Sequence, residues 1–186
     1  MQRVHVETPF GSLELCALPG VFAAGRLDEG TSMLLPHLKY LKDRRRVLDW
    51  GCGCGVIAVC AARAGAEEVM AADVDALAVA SARATAQANG VQVEVVASDV
   101  YAALTGRFSD IVANPPFHDG VRTSMRASSA FVREAPARLT RAGRLLFVAN
   151  RFVKHPESLN ATFRRWEVVE EDGRFRVVRA SAKDAL

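Results

Sequence analysis

The sequence predicts an α/β fold: an open, mostly parallel sheet with one antiparallel strand at or near its edge and a small hairpin ahead of it. Three observations carry this. Strand-length and helix-length segments alternate over most of the chain, the pattern of a parallel sheet whose crossovers are helices. The first strand, at Val47-Leu48-Asp49-Trp50, runs straight into a glycine-rich turn, Gly51-Cys52-Gly53-Cys54-Gly55, and then a helix. The chain closes on two strands joined across Asp172-Gly173, a reversal that supplies the antiparallel member.

In order, residues 3–16 alternate, with Val4, Val6, Leu13 and Leu15 around Pro9-Phe10-Gly11-Ser12, which predicts a hairpin capping one end of the domain. A turn follows at Leu18-Pro19-Gly20-Val21-Phe22. Asp28 or Thr31 can then cap a helix running to about residue 41, with Met33, Leu34, Leu38 and Leu41 on one face. The basic run 39–46 ends it. Residues 56–63 predict a helix stopped at Gly65, and 68–72 a strand ending in Asp73. The alanine-rich run 76–88 predicts a helix closed by Asn89-Gly90, with Asp75 as its cap. Residues 91–97 predict a third strand, ending at Ser98-Asp99. A fourth, over 110–113, stops at Asn114-Pro115-Pro116-Phe117, because prolines cannot continue a ladder. A polar loop over 118–128 precedes a helix to about residue 139, which Pro136 kinks or breaks. A strand over 144–149, a short helix over 156–163 and closing strands over 166–170 and 174–179 complete the chain.

Bulk properties exclude several classes. Half the residues are hydrophobic and 24% charged, ordinary for a globular chain, and 186 residues suffice for a substantial core. No apolar run approaches the roughly 18 residues of a membrane span, and the start Met1-Gln2-Arg3-Val4-His5 is not that of a signal peptide, so a cytoplasmic location is expected. Cys52-x-Cys54 is too tight for zinc ligation, and Cys16 and Cys60 add no second pair, so no metal is expected. Charge is uneven: residues 1–99 hold 9 Lys/Arg against 12 Asp/Glu, and residues 100–186 hold 15 against 9. The basic half also builds the far side of the site, which favours a polyanionic partner such as nucleic acid.

In a doubly wound sheet, ligands bind outside the carboxyl ends of the strands, where Asp49, Asp73, Asp99 and Asn114 lie. Alternate glycines allow a tight turn and close approach to the backbone, and the turn empties onto a helix N-terminus. Asp73, 24 residues after Asp49, can accept both hydroxyls of a ribose, and Asp99 an adenine amino group. Each acid alone also reads as a turn residue or cap. Together they predict a nucleoside-containing cofactor. A dinucleotide site has G-x-G-x-x-G; here Val56 stands where its third glycine would be, which disfavours NAD.

Asn114-Pro115-Pro116-Phe117 suits transfer to a planar amine. The lone pair of an exocyclic amine is delocalised into its ring, so it attacks only when held. The Asn114 side-chain oxygen and the Pro115 carbonyl can accept both its N–H groups, Phe117 can stack on the ring, and the prolines keep the acceptors rigid. His118 and Arg122, just beyond, are candidates for phosphate contact.

Asp49-x-Gly51-x-Gly53-x-Gly55 resembles the glycine turn of class I S-adenosylmethionine-dependent methyltransferases. Leu18-Pro19-Gly20-Val21-Phe22, Leu27-Asp28-Glu29-Gly30, Asn114-Pro115-Pro116-Phe117-His118-Asp119-Gly120 and Gly173-Arg174-Phe175-Arg176-Val177-Val178-Arg179-Ala180 extend the likeness over about residues 18–181. They resemble the catalytic domain of the bacterial 16S ribosomal RNA guanine-N2 methyltransferases, the small-subunit methyltransferase C family. The resemblance implies a Rossmann-like seven-stranded sheet over residues 18–186 behind a hairpin extension at 1–17, and methyl transfer to the N2 amine of a guanine in small-subunit ribosomal RNA. It implies catalysis by Asn114, Pro115 and Phe117. Cofactor contacts would come from Phe22, Asp28, Gly30, Thr31, Asp49, Gly51, Gly53, Asp73, Val74, Ser98, Asp99 and Asn114, and substrate contacts from Pro116, Phe117, His118 and Arg122. Ribosomal RNA or the small subunit would be the partner. Well-known family members carry a second, degenerate domain ahead of the catalytic one, and only a short hairpin stands there in this sequence; the resemblance then implies either a dimer in its place or a different target, and a monomer or homodimer is expected. Trp50 and Cys54 are bulkier than the family's usual Val and Ala, and Asp99 stands where Asn is as common. Protein-glutamine methyltransferases share N-P-P but usually continue with Tyr, so Phe117 and the basic half favour RNA; a small-molecule N-methyltransferase and an NAD-binding oxidoreductase are the remaining alternatives.

Overall fold

Neighbouring residues of the central strands are buried in two different cores. A strand's side-chain period of two dictates this once both faces of a sheet are covered. Val47, Val112, Val148 and Val177 belong to one core, and Leu48, Ile111, Phe147 and Val178 to the other. The computed structural model describes residues 1–23, 26–41, 45–115, 122–152 and 156–182, with backbone alone over 122–126 and 156–157.

Among these residues seven strands form the main sheet: β3 (Arg46–Trp50), β4 (Glu68–Asp73), β5 (Glu94–Ala97), β6 (Phe108–Ala113), β7 (Leu139–Asn150), β8 (Arg165–Glu171) and β9 (Phe175–Ser181), in the order β5-β4-β3-β6-β7-β9-β8. From β5 to β7 the pairings are parallel, and β9 runs antiparallel between β7 and β8. The chain leaves β3 toward β4 and β5, then returns to place β6 on β3's other side. The switch point therefore lies between the carboxyl ends of β3 and β6.

A separate antiparallel hairpin, β1 (Gln2–Val6) and β2 (Leu13–Ala17), lies against α3 (Ala76–Ala88). Thr85 Oγ1 accepts from Cys16 N at 3.0 Å and donates to Cys16 O at 3.2 Å, and the Asn89 amide bonds both Glu14 N and Glu14 O. Leu13 and Leu15 are buried in the same core as α1 (Glu29–Leu34), α2 (Val56–Arg63) and α3, each stabilising it by about 1.5–3 kcal/mol. The opposite face is covered by α4 (Arg122–Arg138) and α5 (Pro156–Thr162) through Phe131, Val132 and Leu159. No helix among the described residues is long and apolar enough to cross a membrane.

Several boundaries differ from expectation. The helix expected to reach residue 41 splits at Pro36, which lacks an N–H: α1 stops at Leu34 and a 3₁₀ helix covers Leu35–Tyr40. Strand β5 begins at Glu94 rather than 91. The polar stretch expected as a loop is already helical from Arg122; Ser128, Phe131, Val132 and Ala135 are buried, and that packing outweighs the weak helix preference of its serines and threonines. Pro136 lies in the last turn of α4, and the helix runs past it to Arg138. Strand β7 starts at Leu139, but its ladder against β6 shifts register before Asp110↔Arg144. Gly143 sits at that irregularity, where a Cβ would come within 3.0 Å of Phe108 O and Thr140.

Candidate active site

The carboxyl ends of β3, β4, β6 and β7 open onto a cavity of about 500 Å³, within the range of small-molecule sites. Gly51, Gly53, Asp73, Val74, Ser98 and Asp99 line one side, and Asn114, Pro115, Asn150, Arg174 and Phe175 the other. Phe22, more than half exposed, and Asp28 complete the wall.

The turn after β3 is fixed from beneath. Gly51 N and Cys52 N both donate to Ala72 O, at 2.8 and 3.0 Å. Gly51 and Gly53 take φ of +66° and +52°, and a Cβ on either would meet nothing within 4 Å. Left-handed backbone and an open approach, rather than crowding, demand glycine here. Gly55 has another reason: a Cβ there would press Ala82 of α3 at 3.0 Å, so it brings α2 and α3 together. Burial pushes the Cys54 and Cys60 thiols up to about 11 and the Cys52 thiol higher still, so they are neutral, space-filling groups.

Asp73 ties the turn to β4. Its Oδ2 accepts from Gly53 N at 2.9 Å and its Oδ1 from Asp75 N at 3.0 Å, and each oxygen keeps a further lone pair. Asp75 caps α3 by accepting from Leu77 N at 2.8 Å. Ser98 Oγ accepts from Ala103 N at 3.1 Å and so holds the loop that carries Asp99.

Asp49, expected among the cofactor contacts, does not reach the cavity wall. It is fully buried, with Oδ2 accepting from Ala58 N at 2.9 Å in the first turn of α2 and Oδ1 without a hydrogen-bond partner. Burial pushes its carboxyl up to about 8, against the lowering effect of the Ala58 bond; the charge of Asp73 adds to the rise. Asp49 seats the glycine turn on its helix from behind.

Asn114 ends β6 facing α1. Its Nδ2 donates to Asp28 Oδ2 at 2.8 Å and to Thr31 Oγ1 at 2.9 Å. A carboxylate only accepts, so the nitrogen must face Asp28, and the amide presents Oδ1 as its acceptor. Asp28 Oδ2 also accepts from Thr31 N at 3.0 Å, capping α1. Gly30 and Thr31, expected as direct cofactor contacts, stand at this support, and Thr31 also lines a smaller cavity with Asp28, Gly51, Gly53 and Asn114. A Cβ on Gly30 would lie 3.2 Å from Asp28 Oδ2 and 3.4 Å from Asn114 Oδ1. Pro116, Phe117 and His118 lie outside the described residues, as does the Arg122 side chain.

Asn150, Arg174 and Phe175 were not anticipated as site residues, although Gly173-Arg174-Phe175 was among the motifs that carried the resemblance. Arg174 pairs with Glu29 at the start of α1, and its guanidinium lies 5.2 Å from the Phe175 ring centroid. Because β9 is antiparallel, its beginning, not its end, lies beside the end of β7: Asn150 pairs with Phe175.

A glycine turn and acids at successive strand ends, on a seven-stranded sheet with this order and one antiparallel strand, define the Rossmann-like methyltransferase fold. A sequence profile described as methyltransferase small domain matches residues 12–179. The chain belongs to the methyltransferase small domain family. It is 45% identical over 175 residues to the ribosomal RNA small subunit methyltransferase C of Serratia proteamaculans, covering 93% of this chain and 50% of that protein. The T. thermophilus 16S rRNA N2 methyltransferase, solved in complex with AdoMet and guanosine, is similar at TM-score 0.89 and 32% identity over 98% of this chain and 50% of that one. The ribosomal protein L11 methylase of Lactobacillus delbrueckii subsp. bulgaricus shares the fold, at TM-score 0.71 and 21% identity over 89% of this chain and 83% of that one. The chain spans about half the length of the curated relatives it matches.

Proposed function

We propose that this chain is an S-adenosylmethionine-dependent N-methyltransferase whose target is the exocyclic N2 amine of a guanine in small-subunit ribosomal RNA. The observation that carries the reading is the orientation of Asn114: both N–H groups of its side chain are engaged by Asp28 and Thr31, which leaves its carbonyl as the group offered to a donor. An exocyclic amine is such a donor.

The residues present fit the cofactor. The open space over Gly51 and Gly53 admits a ligand against the backbone, and Asp73 retains acceptor capacity suited to ribose hydroxyls. Asp28, Asp73, Asp75 and Asp99 line the cavity, a setting that favours a cationic ligand over a dinucleotide's pyrophosphate. The bound cofactor supplies an electrophilic methyl group. On the protein side, Asn114 Oδ1 and the Pro115 carbonyl accept from the amine and hold its lone pair in line, and Phe117 stacks on the base. No strong base is required: the nitrogen becomes acidic as it is methylated and its proton passes to solvent, while positioning and acceptor dipoles do most of the work. Arg174 and Phe175 on the opposite wall, with the basic charge of residues 100–186, support an RNA substrate; His118 and Arg122, by their place in the sequence after the Asn-Pro-Pro-Phe motif, are the candidates for its phosphate. The relatives named for ribosomal RNA, and the one solved with AdoMet and guanosine, favour RNA over a protein glutamine. The protein acts in the cytoplasm as a monomer or homodimer, on ribosomal RNA or the small subunit.

The test is incubation with labelled S-adenosylmethionine and small-subunit ribosomal RNA, followed by nucleoside mass spectrometry. N2-methylguanosine is the expected product. Label in a protein side chain, or none in RNA, would overturn the reading.

A further inference from the structure

Val100 has φ of +49°, a conformation that a β-branched residue adopts only at a cost. It follows Asp99, and both line the cavity. The residue that holds it there is Trp50, at the end of β3. Trp50 Nε1 donates to Val100 O at 3.0 Å, and Ser98 Oγ donates to the same oxygen at 3.4 Å. The indole is itself held: it stacks on Phe131 of α4 at 4.4 Å between centroids, and Tyr101, the next residue after Val100, donates from its hydroxyl to Phe131 O at 3.1 Å. The strained turn is therefore tied at its carbonyl to the floor of the sheet and at its next residue to α4.

We infer that Trp50 is a positioning residue that enforces cofactor base recognition: its indole N–H holds the Asp99–Val100 turn in the conformation that presents the Asp99 carboxylate to the cofactor's base. The inference rests on the cofactor reading above. With the Val100 carbonyl gripped, relaxing φ to a negative value would swing the Asp99–Val100 peptide, and Asp99 with it. Adenine offers an amino group that a carboxylate can accept; hypoxanthine offers a carbonyl oxygen in its place, which a carboxylate repels. A firmly held Asp99 therefore separates the two bases, and a loosened one does not.

The experiment compares calorimetric affinities for S-adenosylhomocysteine and S-inosylhomocysteine. Wild type is expected to prefer the adenine ligand by about tenfold or more, the scale of one hydrogen bond to a charged acceptor. Trp50→Phe keeps a stacking ring and loses the N–H; its preference should fall to within about threefold. Adding Val100→Gly, which tolerates positive φ, should restore much of the preference without restoring the bond. Should the phenylalanine variant not fold, the benzothiophene isostere of tryptophan at position 50 removes the N–H at constant shape. An unchanged preference without the N–H, or equal weakening of both ligands, would overturn the inference while leaving the cofactor reading intact. Failure of wild type to bind either ligand would overturn both.

Discussion

Asn114 and Asp28, 86 residues apart in sequence, meet at 2.8 Å, and the same Asp28 oxygen caps helix α1. The start of that helix and the aim of the amide are thus governed by one carboxylate. Asp28→Ala removes both roles. The helix loses its cap, at a cost of about 1 kcal/mol, and the Asn114 amide loses the acceptor that fixes its aim. Methyl transfer should fall about tenfold or more, beyond what the small drop in melting temperature explains; unchanged turnover would show that the amide needs no such aim.

Asn114→Ala removes an acceptor assigned to the substrate amine. Turnover should fall by at least about a hundredfold while affinity for S-adenosylmethionine stays within about threefold. Calorimetry alongside single-turnover kinetics separates the two, and lost cofactor binding would contradict the assignment.

Asp73→Ala should weaken S-adenosylmethionine binding by about 1.5–3 kcal/mol, the cost of losing hydrogen bonds to a charged acceptor. It also releases Gly53 N, so the turn should loosen as well. A dissociation constant equal to wild type would refute the ribose role.

Asp49 makes stability depend on pH. Its folded-state value, about 8, lies above the ordinary 3.8, so the folded protein keeps a proton that the unfolded chain releases. Its contribution is fully present below about pH 4, declines as pH rises toward 8 and is constant above that. Asp49→Asn mimics the protonated form and lacks this dependence. Melts of both proteins between pH 5 and 8.5 should show wild type gaining on the variant as pH falls; parallel curves would mean that Asp49 is not held neutral.

Gly30→Ala places a methyl 3.2 Å from Asp28 Oδ2 and 3.4 Å from Asn114 Oδ1. Alanine favours the helix by about 1 kcal/mol, so the variant should melt no lower than wild type yet transfer methyl several-fold more slowly. Full activity would show that the carboxylate and amide can give way.

Periodicity and glycine chemistry made most of the sheet legible, because apolar strands and helices of ordinary length obey local rules. Helix α3 was read to the residue from Asp75 and Asn89-Gly90, local signals both. What was missed depends on tertiary context. The start of α4 is polar and reads as loop until Phe131 and Val132 are packed beneath the sheet. Arg174 and Phe175 stand at the start of a strand, and only an antiparallel strand brings its start to the edge where the parallel strands end. The burial of Asp49 was equally hidden: an acid at a strand end reads the same whether it faces a ligand or the back of a turn.

Hairpin β1–β2 shares no ladder with the main sheet, yet its second strand is buried and bonded through Cys16 and Glu14 to Thr85 and Asn89 of the α3 region. The hairpin thus covers one face of α3, the helix whose cap, Asp75, and whose preceding strand end, Asp73, line the cavity. The first 17 residues and the cavity wall share that one helix as their common support.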